Sequence, residues 1–339
     1  MSDPVAGLDL ERLGPWFAEH VPGAGSELSA TFISGGKSNL TYIVGDGSSE
    51  WIVRRPPLGH VLATAHDMGR EYRVMSALQP TEVPVPVTYA FCDDESVIGA
   101  NFYVMEKIDG FPYRTAEQLA PLGAERVRAI SAELVDTLTA LHAVDPDEVG
   151  LGDFGKAEGY LSRQVHRWKK QLDASKTREL PAADELYERL AASIPEQSAA
   201  GIVHGDYRLD NVLVGPDDHI HAVVDWEMAT LGDPIADLAL MVLYQRLAKV
   251  GGDTVANASE APGYLSEQEV LARYAAGSDR DLSRFGWYLA LGAYKLAGVL
   301  EGIHYRYLHG QTVGPGFAGV GDTIVPLLNA GLAALEEKH

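Results

Sequence analysis

The chain has 339 residues, 46% hydrophobic and 22% charged, a composition that excludes wholesale disorder and leaves ample sequence for a core or for two lobes around a cleft. Asp plus Glu outnumber Lys plus Arg by 48 to 27, a formal charge of −21, which argues against nucleic acid and against an anionic membrane surface as partners. A lone cysteine, Cys92, excludes an internal disulfide and leaves a cysteine-rich zinc site without ligands; its expected place is the core or a strand. The opening MSDPVAGLDLERLG lacks the basic-then-apolar order of a signal peptide. The most apolar late run, Trp287 to Leu300, is interrupted by Lys295 and too short to span a bilayer, so a soluble cytoplasmic protein is expected.

Residues 1–27 are expected as an N-terminal helical segment, and 28–108 as a β-rich lobe. Leu28 to Gly36 reads as a strand running into a glycine turn. Leu40, Tyr42 and Val44 alternate in a second strand, and Trp51 to Arg54 forms a third, stopped by Pro56-Pro57. The glycine turns between them predict an antiparallel meander. Ala65 to Leu78 has a helical period, with Tyr72, Met75 and Leu78 on one face. Val83 to Cys92 and Asn101 to Ile108 read as two more strands, giving β-β-β-α-β-β. A short linker, Glu106 to Gly110, leads into residues 109–339, read as a helical lobe. Its helices are expected at Glu125 to Val144, Gly159 to Leu172, Asp184 to Ile194, and about 234–250, 266–276 and 282–308, with a β-like interruption from Gly201 to Trp226. The overall class is α+β, with a ligand expected in the cleft between lobes.

That interruption carries the chemistry. In residues 202–214, His204-Gly205-Asp206-Tyr207-Arg208-Leu209-Asp210-Asn211 lies between apolar runs, and a second run ends in the turn 223–227 at Asp225-Trp226-Glu227. Short strands flanking a turn would bring Asp206, Asn211 and Asp225 to one end of a hairpin. Two carboxylates and an amide are hard oxygen ligands of the kind that suits magnesium, and a carboxylate left off the metal can take a proton from a hydroxyl.

HGDYRLDN followed by VVDWE resembles the catalytic loop and metal turn of aminoglycoside phosphotransferases and choline kinases, relatives of the protein kinases. The resemblance covers most of the chain. The lobe order agrees, Ser34-Gly35-Gly36 sits between the first two strands, and Gly232-Asp233-Pro234-Ile235-Ala236-Asp237-Leu238 follows the metal turn. Trp-Ile-Val-Arg-Arg-Pro-Pro and Arg-Glu-Tyr-Arg-Val-Met are most similar to the branch sometimes fused to acyl-CoA dehydrogenases. The resemblance implies a protein-kinase-like two-lobed fold, with ATP and Mg2+ as cofactors and phosphorylation of a small-molecule hydroxyl. It implies Asp206 as the catalytic base and Asn211 and Asp225 as magnesium ligands. His204 is expected to brace the loop, and Asp233 and Asp237 to anchor it and cap a helix.

For nucleotide binding the resemblance implies Gly35, Gly36 and Lys37 in the glycine turn, Arg54 in the third strand, Glu71 as its helix partner, and Met105, Glu106 and Ile108 at the adenine-receiving hinge. The family pattern has a lysine in the third strand; this chain has Arg54-Arg55, and alternation sends one of them to the cleft, with Arg54 the choice. Arg208, Glu227, Glu301 and His304 are candidate substrate contacts. The helix from Phe285 to Tyr307, with aromatics and one carboxylate, suits an apolar or anionic acceptor, a hydroxyacyl-CoA, better than a polyamine sugar, or else supplies core. The competing readings are an antibiotic-modifying aminoglycoside phosphotransferase, a protein kinase, disfavoured by the short interval after Asp225, and a nucleotide-binding pseudokinase or scaffold.

Overall fold

A computed structural model describes residues 6–33, 39–58, 67–197, 199–250, 256–312 and 317–337. In chain order its regular elements are α1 (Leu10–His20), β1 (Ser29–Phe32), β2 (Leu40–Gly45), β3 (Glu50–Arg55), α2 (Met68–Leu78), β4 (Thr88–Cys92), β5 (Phe102–Glu106), α3 (Ala116–Leu119) and α4 (Ala124–Ala143). They continue with α5 (Tyr160–Ser175), α6 (Pro181–Ala192), β6 (Gly201–Val203), β7 (Val212–Val214), β8 (Ile220–Val223), β9 (Thr230–Gly232), α7 (Ile235–Val250), α8 (Glu267–Ala276), α9 (Phe285–Leu308) and α10 (Ile324–Ala334). The chain divides into two compact units, Met1–Gly110 with His221–Ala229, and Phe111–Ile220 with Thr230–His339.

The first unit is built on a five-stranded antiparallel sheet in the order β1-β2-β3-β5-β4. The first three strands form the expected meander. β4 begins at Thr88 rather than Val83, because Pro84 and Pro86 have no N–H to offer a ladder. The Pro84 carbonyl instead accepts from Val223 N at 2.8 Å, and Arg70 Nη2 donates to Ala229 O at 3.2 Å. These bonds hold 221–229 in the first unit, whereas the sequence reading put the turn 223–227 in the helical lobe. α1 starts at an Asp9 cap and buries Leu13 and Phe17, the latter edge-on to Trp51. Cys92 is buried in the same cluster. On α2 the buried positions are Met68, Glu71, Val74, Met75 and Leu78, so a carboxylate occupies the core-facing stripe while Tyr72 lies to its side.

The second unit is mainly helical. α4 buries Val127, Ile130, Leu134, Leu138 and Leu141 at helical spacing. α9 is buried all round from Phe285 to Tyr294 and packs against α5, α6, α7 and α10. Phe285, Trp287, Tyr288 and Tyr294 are therefore core rather than an acceptor wall. α10 carries no charged residue and was not foreseen. β6, which opens the loop of interest, pairs antiparallel with β9. Among the described residues no helix is long and apolar enough to cross a membrane.

Candidate active site

In the second unit, the loop after β6 turns at Gly205, whose φ of +88° is one a side chain would oppose. Asp237, in the first turn of α7, holds this bend: its carboxylate accepts the N–H groups of His204 (2.6 Å) and Gly205 (2.8 Å). Burial alone would raise the Asp237 pKa, but His142 and these N–H donors hold it below the usual range. From α9, Lys295 Nζ donates to the Gly205 carbonyl at 2.6 Å. Burial lowers the Lys295 pKa, and Asp206 and Asp237 oppose that shift. His204 is fully buried and its Nδ1 lies 3.3 Å from Asp206 N, the bracing role expected of it. Asp233 accepts from Ile235 N at 3.2 Å, capping α7, and from the Tyr288 hydroxyl at 2.8 Å.

So anchored, the loop presents Asp206 with both carboxylate oxygens engaged. Oδ1 accepts from the Tyr244 hydroxyl at 3.0 Å, and Oδ2 from Asn211 Nδ2 at 3.1 Å. Asn211 Nδ2 also donates to the Asp206 carbonyl at 2.8 Å, which ties the two ends of the loop and turns Asn211 Oδ1, an acceptor, to other partners. Arg208 Nε lies 3.0 Å from Asp210 and 3.6 Å from Asp206, and its guanidinium stacks 4.8 Å over the Tyr244 ring. Burial raises the Asp210 pKa and Arg208 opposes it.

In the first unit a second polar cluster forms around Arg54. Its Nη2 donates to Asp225 Oδ1 at 2.5 Å, and its Nε lies 3.4 Å from Glu71 Oε2. Glu71, 1% exposed, also accepts from Asn39 Nδ2 and the Tyr103 hydroxyl, both at 2.9 Å. Burial raises the Glu71 pKa, with Arg54 opposing; burial also works against the Arg54 charge, but Tyr103, Glu71 and Asp225 outweigh it and raise the pKa. Asp225 is one of two described non-glycine residues with positive φ, at +65° and ψ +56°. Such a conformation costs about 1–2 kcal/mol and is kept where surrounding structure imposes it. Arg55 points the opposite way, its Nη1 donating to the carbonyls of Gly7 (2.6 Å) and Ile98 (2.9 Å).

Among the other expected residues, Met105 is buried in β5, and Glu106 is fastened to Val87 through backbone N–H (2.8 Å) and carboxylate (3.2 Å). Ile108 is half-buried just beyond the strand. Glu227 is exposed, with Oε2 3.3 Å from Asn39 Nδ2. Gly35, Gly36 and Lys37 lie outside the described residues. Glu301 departs from expectation. It is fully buried and its carboxylate accepts from Thr177 N (2.8 Å), Thr177 Oγ1 (2.6 Å) and Arg178 Nη1 (3.2 Å), so it clamps the segment after α5 instead of facing an acceptor. His304 packs against Gly321. Tyr244, Asn39 and Tyr103 were missed. Tyr103 is the cross-strand partner of Arg54, a relation visible only once the register is known.

The chain belongs to the phosphotransferase enzyme family (APH), whose pattern matches residues 29–284. It has the kinase-like fold: a structure from Ralstonia eutropha, provisionally named an aminoglycoside phosphotransferase, is 34% identical with a TM-score of 0.86, over 98% of this chain and 99% of that one. Choline kinase from Cryptosporidium parvum shares the fold at 16% identity and a TM-score of 0.60, over 96% and 95% of the two chains. Acyl-CoA dehydrogenase family member 11 of Rattus norvegicus is 34% identical over 97% of this chain, which spans 43% of that protein's length. The similarity to the dehydrogenase-fused branch, drawn from short motifs, thus extends along nearly the whole chain.

Proposed function

We propose that the protein is an ATP- and magnesium-dependent phosphotransferase that phosphorylates a hydroxyl of a small metabolite, with a hydroxyacyl-CoA as the acceptor class. The observation that carries this reading is the Asp206 carboxylate, fixed on both oxygens by Tyr244 and Asn211 in a loop pinned by Asp237. A carboxylate so oriented can position an acceptor hydroxyl and take its proton as the oxygen attacks the terminal phosphate. Asn211 Oδ1 in the helical unit and Asp225 in the first unit, whose side chain is 30% exposed, are each hard oxygen groups of the kind magnesium takes as ligands. A magnesium ion held by such groups would neutralise phosphate charge. Arg54 would hold nucleotide phosphate in the place of the family's lysine, with Glu71 orienting it. Gly35, Gly36 and Lys37 would cover the phosphates, and Met105, Glu106 and Ile108 would receive the adenine.

The acyl-CoA acceptor is supported by the extended similarity to acyl-CoA dehydrogenase family member 11. It is also supported by Arg208 beside Asp206, a cation unsuited to a polyamine substrate. The test is ADP release with magnesium and ATP across short hydroxyacyl-CoAs and kanamycin-type aminoglycosides. Acyl-CoA turnover is expected; efficient aminoglycoside phosphorylation without it overturns the acceptor assignment, and no ATP-dependent transfer to any hydroxyl compound overturns the reading as a whole.

A further inference from the structure

The helical unit contains a recess next to Asp206 that none of the roles above uses. Its walls include the rings of Tyr113, Tyr244 and Tyr264, with Met241, Arg208 and Gln245. Tyr244 belongs to both places, since its hydroxyl is bonded to Asp206 Oδ1. The aromatic and thioether walls offer an apolar, adaptable surface. The acidic member of the lining, Asp210, is paired with Arg208 at 3.0 Å, so it does not stand ready for a cationic ligand.

Gln245 follows Tyr244 on α7 and is 5% exposed. Its Nε2 is buried and has no hydrogen-bond partner among the described residues. A buried amide donor without an acceptor is a standing cost unless a ligand supplies the missing oxygen. The free space is about 30 Å³, room for one small polar group rather than a chain.

We infer that this recess is an acceptor subsite in which the Gln245 side-chain amide donates to the carbonyl oxygen of a hydroxylated acyl group while the group's hydroxyl lies at Asp206. The subsite rests on the phosphotransferase reading above and adds its selectivity. Ammonium groups are donors only, so an amine in this space leaves Gln245 unpaired and meets the Arg208 charge. A carbonyl satisfies the amide and brings no charge against Arg208. Gln245 is therefore a specificity-determining residue, and the acyl carbonyl is the feature it selects.

The experiment uses the full chain with 15N-labelled glutamine side chains, the Gln245 resonance being identified by its loss in Gln245→Met. The probe is the N-acetylcysteamine thioester of a hydroxybutyrate, compared with the corresponding thioether, which keeps the N-acetyl group and lacks only the acyl carbonyl. Expected is a saturable shift of the Gln245 amide with the thioester and none with the thioether. In turnover, Gln245→Glu and Gln245→Met should each raise KM for the thioester about tenfold or more, with kcat within about twofold. No shift with the thioester, or an equal shift with both compounds, overturns the subsite. ADP release from the same thioester separates the two readings. Turnover without a Gln245 shift removes the subsite alone. A shift without turnover keeps the subsite and removes this acceptor from the proposed function, and silence in both removes the subsite and this acceptor together.

Discussion

Two neighbouring arginines in β3 have different work. Arg54 sits between Glu71 and Asp225, whereas Arg55 is tied to the Gly7 and Ile98 carbonyls. Arg54→Ala leaves the buried Glu71 carboxylate without its counter-charge and removes the proposed phosphate contact. Nucleotide affinity measured by calorimetry should fall at least tenfold. Arg55→Ala strands three carbonyls, those of Gly7, Pro56 and Ile98, and a lost partner ordinarily costs about 1–3 kcal/mol; the melting temperature should drop while nucleotide affinity stays within about twofold. The reverse pattern would remove Arg54 from the phosphate role. At Asp206, substitution by Asn retains the shape and removes the proposed base. Turnover should fall by about 10²–10⁴-fold with ATP binding retained, and near-normal turnover would show that Asp206 only shapes the loop.

At the scale of elements, α9 organises the helical unit through small residues. A Cβ added at Gly286 would stand 2.2 Å from the Ala334 carbonyl oxygen of α10, a backbone atom that cannot swing aside. A Cβ at Gly292 would stand 3.3 Å from Leu243 Cδ2, the end of a side chain that has to give by only a few tenths of an ångström. Replacing glycine by alanine inside a helix ordinarily gains about 1 kcal/mol. That gain should survive at Gly292, while Gly286→Ala should lose about 1–3 kcal/mol net through overpacking. Denaturant unfolding of the two variants checks this, and equal effects would refute the close approach of α9 and α10. The long stripe of α4 was readable because its apolar positions recur at helical spacing. Val83, Val85 and Val87 imitate strand alternation, but Pro84 and Pro86 lie between them without N–H groups, so β4 starts at Thr88, five residues after the expected start.

Across the whole molecule, acid stability depends on buried titratable groups that surface water does not reach, in a chain whose formal charge is −21. His142 and Asp237 face each other, both 1% exposed, with Nε2 and Oδ2 3.5 Å apart; Tyr274, Asp233 and Arg280 complete their surroundings. Burial lowers the His142 pKa, so the folded chain resists a proton that the unfolded chain binds below its ordinary value of about 6.5. Stability is therefore lost as pH falls through that value. Asp237, held below its unfolded pKa, adds a second loss beginning below about pH 4. Between pH 7.5 and 5.5 the native protein should lose more melting temperature than His142→Gln, which has no histidine to titrate there. Equal losses would show that the pair does not govern the acid response.

The meander strands, the main helices and the chemical inventory are legible in the sequence, because they depend on local rules; α10 and the start of β4 are not. Alternation and helical spacing set the strands and the main helices, and Asp206 to Asn211 lie close enough along the chain for loop geometry to join them. Alternation also puts Arg54 and Arg55 on opposite faces, but that Arg54 is the one that meets Glu71 and Asp225 depends on the fold. Partnerships between distant segments were decided only by tertiary structure. Tyr244 lies 38 positions from Asp206 in sequence, Lys295 lies 90 from Gly205, and Glu301 lies 124 from Thr177. No periodicity encodes such meetings. Glu301 shows the consequence: a lone carboxylate on an aromatic helix suggests a substrate contact, yet packing turned it inward, where buried charge had to find its donors among residues 177–178.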